Sequence, residues 1–188
     1  MKDGRPMKKT TLCYLEHNNH YLMMLRNKKE HDQSEGKWLG IGGKFLPGET
    51  PDECLAREVM EETGFALGTP HFHGVVHFVS DIWEDEDMYL YTCTDFSWSE
   101  EPDAVLGAPH HNPSHAGTIR ESFAHNALEE EPPLPLCNEG ELHWIHKDEV
   151  LRLNLWEGDH LFLERLIANE DFGEFTVVYE GDKLVGVR

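Results

Sequence analysis

Glu58, Glu61 and Glu62 stand at i, i+3 and i+4 in the stretch GGKFLPGETPDECLAREVMEETGF, so on a helix their side chains share one face. Like charges at that spacing destabilise an isolated helix. Either solvent absorbs the repulsion, with Arg57 at i−4 from Glu61 to relieve it, or a cation occupies that face. Gly40, Gly42 and Gly43 stand just before the helix, where backbone carbonyls can approach a ligand closely, and Glu49 precedes the helix start. Hard oxygen donors clustered without Cys or His suit Mg²⁺ or Mn²⁺, which bind carboxylates, carbonyls and substrate phosphates together.

The elements that must hold these groups are legible nearby. Thr50-Pro51-Asp52-Glu53 supplies an N-cap, a proline at N1 and a glutamate at N3, and Gly64 stands where a left-handed C-terminal cap belongs. The helix is therefore expected over Pro51 to Thr63, with Leu55 and Val59 on its buried stripe. TTLCYLEH and HYLMMLRN read as a β-hairpin over about Thr10 to Arg26, turning at Asn18 and Asn19. WLGIGGKF reads as tight, glycine-marked backbone rather than regular structure. HFHGVVHFVS, MYLYTCT and ELHWIH read as strands, HKDEVLRL as the start of a short helix, and DHLFLERLIANE as a helix whose apolar face includes Leu161, Leu163, Leu166 and Ile167. FTVVYEGDKLVGV reads as a closing hairpin. The Pro- and His-rich stretch at about 100–136 reads as a loop insertion.

The whole composition narrows the partners. With 16 basic and 36 acidic residues the 188-residue chain carries a net charge of −20, a field that repels nucleic-acid polymers and anionic membranes. A small phosphate ligand needs a local cation to reverse that field. The length suits a single domain, residues 1–188. No apolar run approaches the ~20 residues of a membrane span, and the opening residues lack the apolar core of a secretory signal. The four cysteines, Cys13, Cys54, Cys93 and Cys137, form no CxxC pair and read as reduced, buried thiols of a cytoplasmic protein. The 13 histidines match no established zinc spacing, although His71, His73 and His77 share strand parity; they read as surface histidines.

The run Gly43, Glu49, Arg57-Glu58-Val59, Glu61-Glu62, Gly64-Phe65 resembles the Nudix box at each of its fixed positions. That resemblance implies an α/β (α+β) fold, a mixed β-sheet sandwiched between helices with the box as loop-helix-loop. It also implies metal-dependent hydrolysis of a nucleoside diphosphate linked to another moiety. Carried over, Glu58, Glu61 and Glu62 are expected as metal ligands together with the Gly42 carbonyl. Arg57 is expected to orient the box carboxylates, Glu49 to support them, and Glu58 to serve as general base, with a carboxylate outside the box as the alternative.

Substrate clues lie outside the box. WLGIGGK, NEGELHW, LWEGDH and FGEFTVVYEGDKL resemble segments of MutT-type 8-oxo-dGTP diphosphatases within the family. The resemblance adds Glu139 to the metal ligands, stacks Trp156 on a purine and has Asp159 hydrogen-bond the base edge. Trp156 as a core aromatic and Asp159 as a helix N-cap are the structural alternatives. Leu39 stands where several purine-sanitising relatives have a base-contacting asparagine, and a leucine cannot make that hydrogen bond. Arg26 and Lys44 are expected to contact a triphosphate. The leading expectation is conversion of an oxidised purine dNTP to dNMP and pyrophosphate. The alternatives are ADP-ribose, a dinucleoside polyphosphate or a nucleotide sugar as substrate, or a non-catalytic nucleotide sensor.

Overall fold

Asn18 and Asn19 both adopt left-handed backbone, with φ of 47° and 63°, and this pair turns β1 (Lys8–His17) back onto β2 (His20–Leu25). Asparagine tolerates that region because its side chain bonds the local backbone. The hairpin matches the sequence expectation, beginning two residues earlier at Lys8. The fold comes from a computed structural model of the chain, which describes residues 7–28, 32–98 and 131–188.

The expected helix is present as α1 (Pro51–Thr63). The Thr50 side chain accepts from the Glu53 amide, Glu53 reaches back to the Thr50 amide, and Gly64 closes the helix in the left-handed conformation with φ of 70°. Two-residue strands that the sequence did not disclose flank it: β3 (Trp38–Leu39), β4 (Ala66–Leu67) and, farther on, β7 (Phe96–Ser97). WLGIGGKF is thus partly regular, because β3 pairs with β2 and Ile41 and Lys44 form isolated bridges to Cys13 and Thr10.

The long strands are β5 (His71–Ser80), β6 (Glu86–Cys93), β8 (Glu141–His146), β9 (Gly173–Glu180) and β10 (Lys183–Val187). They join β1 to β3 in one mixed sheet of order β10-β9-β5-β6-β1-β2-β3, with β8 also on β2, while β4 and β7 pair separately. β1 lies parallel to β6, bringing Lys8 opposite Glu86 and Thr10 opposite Met88.

Successive side chains on a strand point to opposite faces, and β1 and β2 use both. Tyr14, Tyr21 and Met23 enter one core with Val76, Phe162 and Leu163, whereas Cys13, Leu15, Leu22 and Met24 enter another with Leu55 and Val59. The sheet is therefore covered by α1 on one side and by α3 (Asp159–Ile167) on the other, with α2 (Lys147–Val150) after β8. On α3, Phe162, Leu163 and Leu166 are buried, while Leu161 and Ile167 are half-buried. Phe162 therefore carries packing that the periodic reading assigned to its neighbours. All four cysteines are buried free thiols. Among the described residues, no helix is long and apolar enough to cross a membrane.

The end of the expected insertion is packed. Pro132 is buried and its carbonyl accepts from Trp144 Nε1 at 3.1 Å. Residues 100–130 of that segment, including His110, His111, His115 and His125, lie outside the described residues.

Candidate active site

The helix α1 presents Glu58 and Glu62 toward the glycine run and leaves Glu61 at the margin. Gly43 makes room for Glu58, since a Cβ there would lie 2.5 Å from the Glu58 carboxyl. Gly42 approaches β1 so closely that a Cβ would meet the Thr11 carbonyl at 2.1 Å, and its amide donates to Glu62 Oε2 at 3.2 Å. Both glycines are required by close approach rather than by a turn.

Arg57 ties the loop to the helix. Its Nε donates to Glu49 Oε1 at 2.7 Å and a terminal nitrogen donates to Glu49 Oε2 at 2.9 Å. That same nitrogen reaches the Lys44 carbonyl at 3.0 Å, and the other reaches Glu58 Oε1 at 2.8 Å and Glu61 Oε2 at 3.4 Å. This planar fork holds Glu49 down to a pKa of about 2, through the Arg57 hydrogen bonds first and the Leu46 amide second. The Glu61 carboxylate, with a side chain 60% exposed, is only loosely held.

Glu62 is in the opposite situation. Burial pushes its carboxyl up to about 8, the nearby charges of Glu139 and Glu58 add to the rise, and the Gly42 amide opposes it. Burial also raises Glu58, with Arg57 pulling it back and Glu61 and Glu139 pushing it up. Glu139, on the loop before β8, therefore shares its field with both helix carboxylates. Arg26 pairs with Glu139 and with Asp32, so this expected phosphate contact is itself held between two carboxylates.

The donor set fits a divalent cation. Glu58, Glu62 and Glu139 offer hard oxygens, Glu139 raises the proton affinity of both helix carboxylates, and Glu62 is buried with the Gly42 amide as its hydrogen-bond donor. A bound cation would remove the repulsion that the protons otherwise relieve.

Glu58 and Glu139 open into a cleft of about 740 Å³ that Gly42, Gly43, Lys44 and Arg26 also line, whereas Glu61 and Glu62 are not among its lining residues. Leu39, Trp156 and Asp159 line the same cleft. Trp156 is buried, packs edge-on against Tyr179 at 5.3 Å between centroids and Phe78 at 6.1 Å, and donates from Nε1 to Ser34 Oγ at 3.1 Å. Lys37 Nζ sits over its ring, 5.2 Å from the centroid. Trp156 is thus a core aromatic and a wall of the cleft at once.

Asp159 does not cap α3. Gly158 holds the N-cap position without a side-chain hydrogen bond, and Asp159 is the first helical residue. Its buried carboxyl makes no hydrogen bond to a described residue, and burial raises it to about 8, with Lys37 opposing and the Glu86 charge adding to the rise.

Glu86 belongs to a cluster that sequence reasoning missed. It is 8% exposed, lines the cleft, and holds Lys8 Nζ at 2.6 Å and Thr10 Oγ1 at 2.5 Å. Only the parallel pairing of β1 with β6 brings these residues together, and local spacing carries no signal for it.

The NUDIX domain family profile matches residues 7–166. The chain is similar to an "oxidized purine nucleoside triphosphate hydrolase" of Danio rerio, 34% identical over 79 residues, covering 42% of this chain and 50% of that protein. A protein of the same description from Mus musculus is 36% identical over 55 residues, covering 29% of this chain and 35% of that protein. The matched stretch spans half or less of these curated relatives. In three dimensions the chain is similar to the MutT protein of Bacillus halodurans, with a TM-score of 0.70 and 22% identity over 97% of each chain.

Proposed function

The chain belongs to the NUDIX domain family, and on that premise we propose that it is a MutT-type pyrophosphohydrolase converting an oxidised purine nucleoside triphosphate to the monophosphate and pyrophosphate. The observation that carries this reading is one cleft lined both by the box residues Gly42, Gly43 and Glu58 and by Trp156 and Asp159. A nucleotide needs that combination, an anion-handling part and an aromatic part with a polar edge.

In this reading Glu58, Glu61, Glu62 and Glu139, with the Gly42 carbonyl, would hold Mg²⁺ or Mn²⁺. When bound, the cation neutralises phosphate charge and polarises the scissile phosphorus. Arg57 fixes Glu58 and Glu49 so that the helix carboxylates keep their positions through turnover. Glu58, with one oxygen engaged by Arg57, takes the proton of the attacking water on the other. The water oxygen forms a new bond to phosphorus, the bridging P–O bond breaks, and pyrophosphate carries away the electron pair. Lys44 and Arg26 face the phosphates from the cleft wall. Trp156 stacks on the base and the neutral Asp159 carboxyl donates to its edge. We read residues 1–188 as one such domain acting in the cytoplasm, a reading that the four free thiols support.

Leu39, an apolar cleft residue where a base-contacting amide would sharpen purine recognition, favours a second reading: another nucleoside diphosphate derivative, such as ADP-ribose, a dinucleoside polyphosphate or a nucleotide sugar. Turnover with Mg²⁺ of 8-oxo-dGTP, the normal dNTPs, ADP-ribose and diadenosine polyphosphates separates the two. The first reading expects the highest kcat/KM on an oxidised purine dNTP with pyrophosphate as product, and release of AMP and ribose 5-phosphate from ADP-ribose as the preferred reaction would replace it with the second.

A further inference from the structure

His71 and His73 leave β5 beside Asp171, in the connection between α3 and β9, and both rings aim at the same atom. His71 Nε2 lies 2.8 Å from Asp171 Oδ1 and His73 Nδ1 lies 3.1 Å from it. The two imidazoles meet nearly edge to face, 4.5 Å between centroids, and the three donor atoms all lie within 4.8 Å of one another. From these atoms we infer a second metal site, for Zn²⁺, built from His71, His73 and Asp171 and distinct from the box carboxylates.

Two imidazole nitrogens and one carboxylate oxygen form a donor set that zinc takes at about 2.0–2.2 Å, leaving a fourth position for water. Neighbouring donors around a tetrahedral ion with such bonds stand roughly 3.3 Å apart. The observed 2.8 and 3.1 Å are short of that by a few tenths of an ångström. The side chains of His71 and Asp171 are 56% and 62% exposed and free to open by that amount.

His73 is the fixed member. Its side chain is fully buried, and its Nε2 lies 2.8 Å from Thr92 Oγ1. With Nε2–H donating to that hydroxyl, the Nδ1 lone pair faces Asp171 Oδ1 and the Glu170 carbonyl, 3.3 Å away. In the other tautomer Nδ1–H donates to those oxygens, so a cation here binds in competition with that proton. A partner on the far ring nitrogen that fixes the ligating one is the usual support of a metal-bound histidine. The donor chemistry also separates the two sites: the box offers oxygens for a hard ion, whereas imidazoles favour zinc. The cleft touches β5 at Phe78, which at ~3.3 Å per residue lies about 16 Å along the strand from His73. A zinc ion here would clip the start of β5 to the segment leaving α3, the helix that begins with Asp159.

The test is calorimetric titration of Zn²⁺ into the full chain under saturating Mg²⁺, for wild type, His71→Ala and Asp171→Asn, with thermal unfolding in parallel. Both substituted residues are exposed, and unchanged metal-free unfolding temperatures verify that the variants fold. Histidines elsewhere contribute equally to all three proteins. Wild type is expected to bind one more tight equivalent than either variant, or the same equivalent at least 10-fold more tightly. It should also gain unfolding temperature with Zn²⁺ that the variants do not. Co²⁺ at the site should give visible absorption of a four-coordinate ion, lost in the variants. Equal stoichiometry, affinity and thermal gain in all three proteins would overturn the site, as would absence of tight Zn²⁺ binding in wild type.

Discussion

Arg57 grips Glu49 through both carboxylate oxygens, at 2.7 and 2.9 Å, and thereby pins the loop before α1 to the helix that carries Glu58 and Glu62. A lysine keeps the charge but has no planar fork. Arg57→Lys is therefore expected to lower kcat by about 10- to 100-fold with little change in unfolding temperature. Combined with Glu49→Gln, the loss should be much less than the sum of the two, since both changes break one contact. Additive losses in a double-mutant cycle would show that the two residues act separately.

Glu62 and Asp159 give the metal-free protein a definite pH dependence. Both carboxyls are raised to about 8, well above their ordinary range. The folded chain thus binds protons that the unfolded chain has already released, and the resulting stability is present at low pH and lost as pH rises through about 8. In EDTA, the denaturant midpoint should fall between pH 6 and pH 9. Glu62→Gln and Asp159→Asn should each flatten that fall. A midpoint that rises over this interval in wild type would contradict the burial of both groups in protonated form.

Asp159 also sets a pH limit on recognition. Its neutral carboxyl can donate to a base edge, whereas the anion above pH 8 cannot. KM for the preferred purine substrate should climb above pH 8 in wild type, with kcat less affected. Asp159→Asn keeps a donor at every pH and should remove the climb. A wild-type profile already flat in KM from pH 6 to 9.5 would exclude this role.

Trp156 can be dissected by size. Trp156→Phe keeps an aromatic face and loses the Nε1 hydrogen bond to Ser34, which should cost about 0.5–1.5 kcal/mol of stability while leaving KM largely unchanged. Trp156→Ala removes stacking worth about 1–3 kcal/mol per base, or roughly 5- to 150-fold in KM. The same change empties part of the core against Phe78 and Tyr179 and should cost about 3–5 kcal/mol of stability. Equal KM for Phe and Ala variants would remove the stacking role.

How much of this could be read from the chain depends on how local each signal is. Thr50, Pro51, Glu53 and Gly64 announce α1 because capping is decided within one turn of the helix end. Asn18-Asn19 announces the first hairpin for the same reason. The Lys8–Thr10–Glu86 cluster was illegible, since it exists only where β1 and β6 lie parallel. Arg26 reads as a phosphate contact in the sequence, while its pairing with Glu139 carries no sequence signal because only the fold brings the two together. His71 and His73 showed their common strand face in the sequence, but their shared partner, Asp171, arrives from the far side of α3. The short strands β3, β4 and β7 escaped because two residues carry no periodicity.

Mg²⁺-dependent turnover of 8-oxo-dGTP by wild type and Glu62→Gln, with monophosphate and pyrophosphate measured together, is the most direct test of metal-dependent hydrolysis at the box. Wild type is expected to release both in equal amounts only when Mg²⁺ or Mn²⁺ is present, and Glu62→Gln to fall by at least about 100-fold while remaining folded. Turnover that persists undiminished in Glu62→Gln, or that proceeds in wild type without divalent cation, would contradict it.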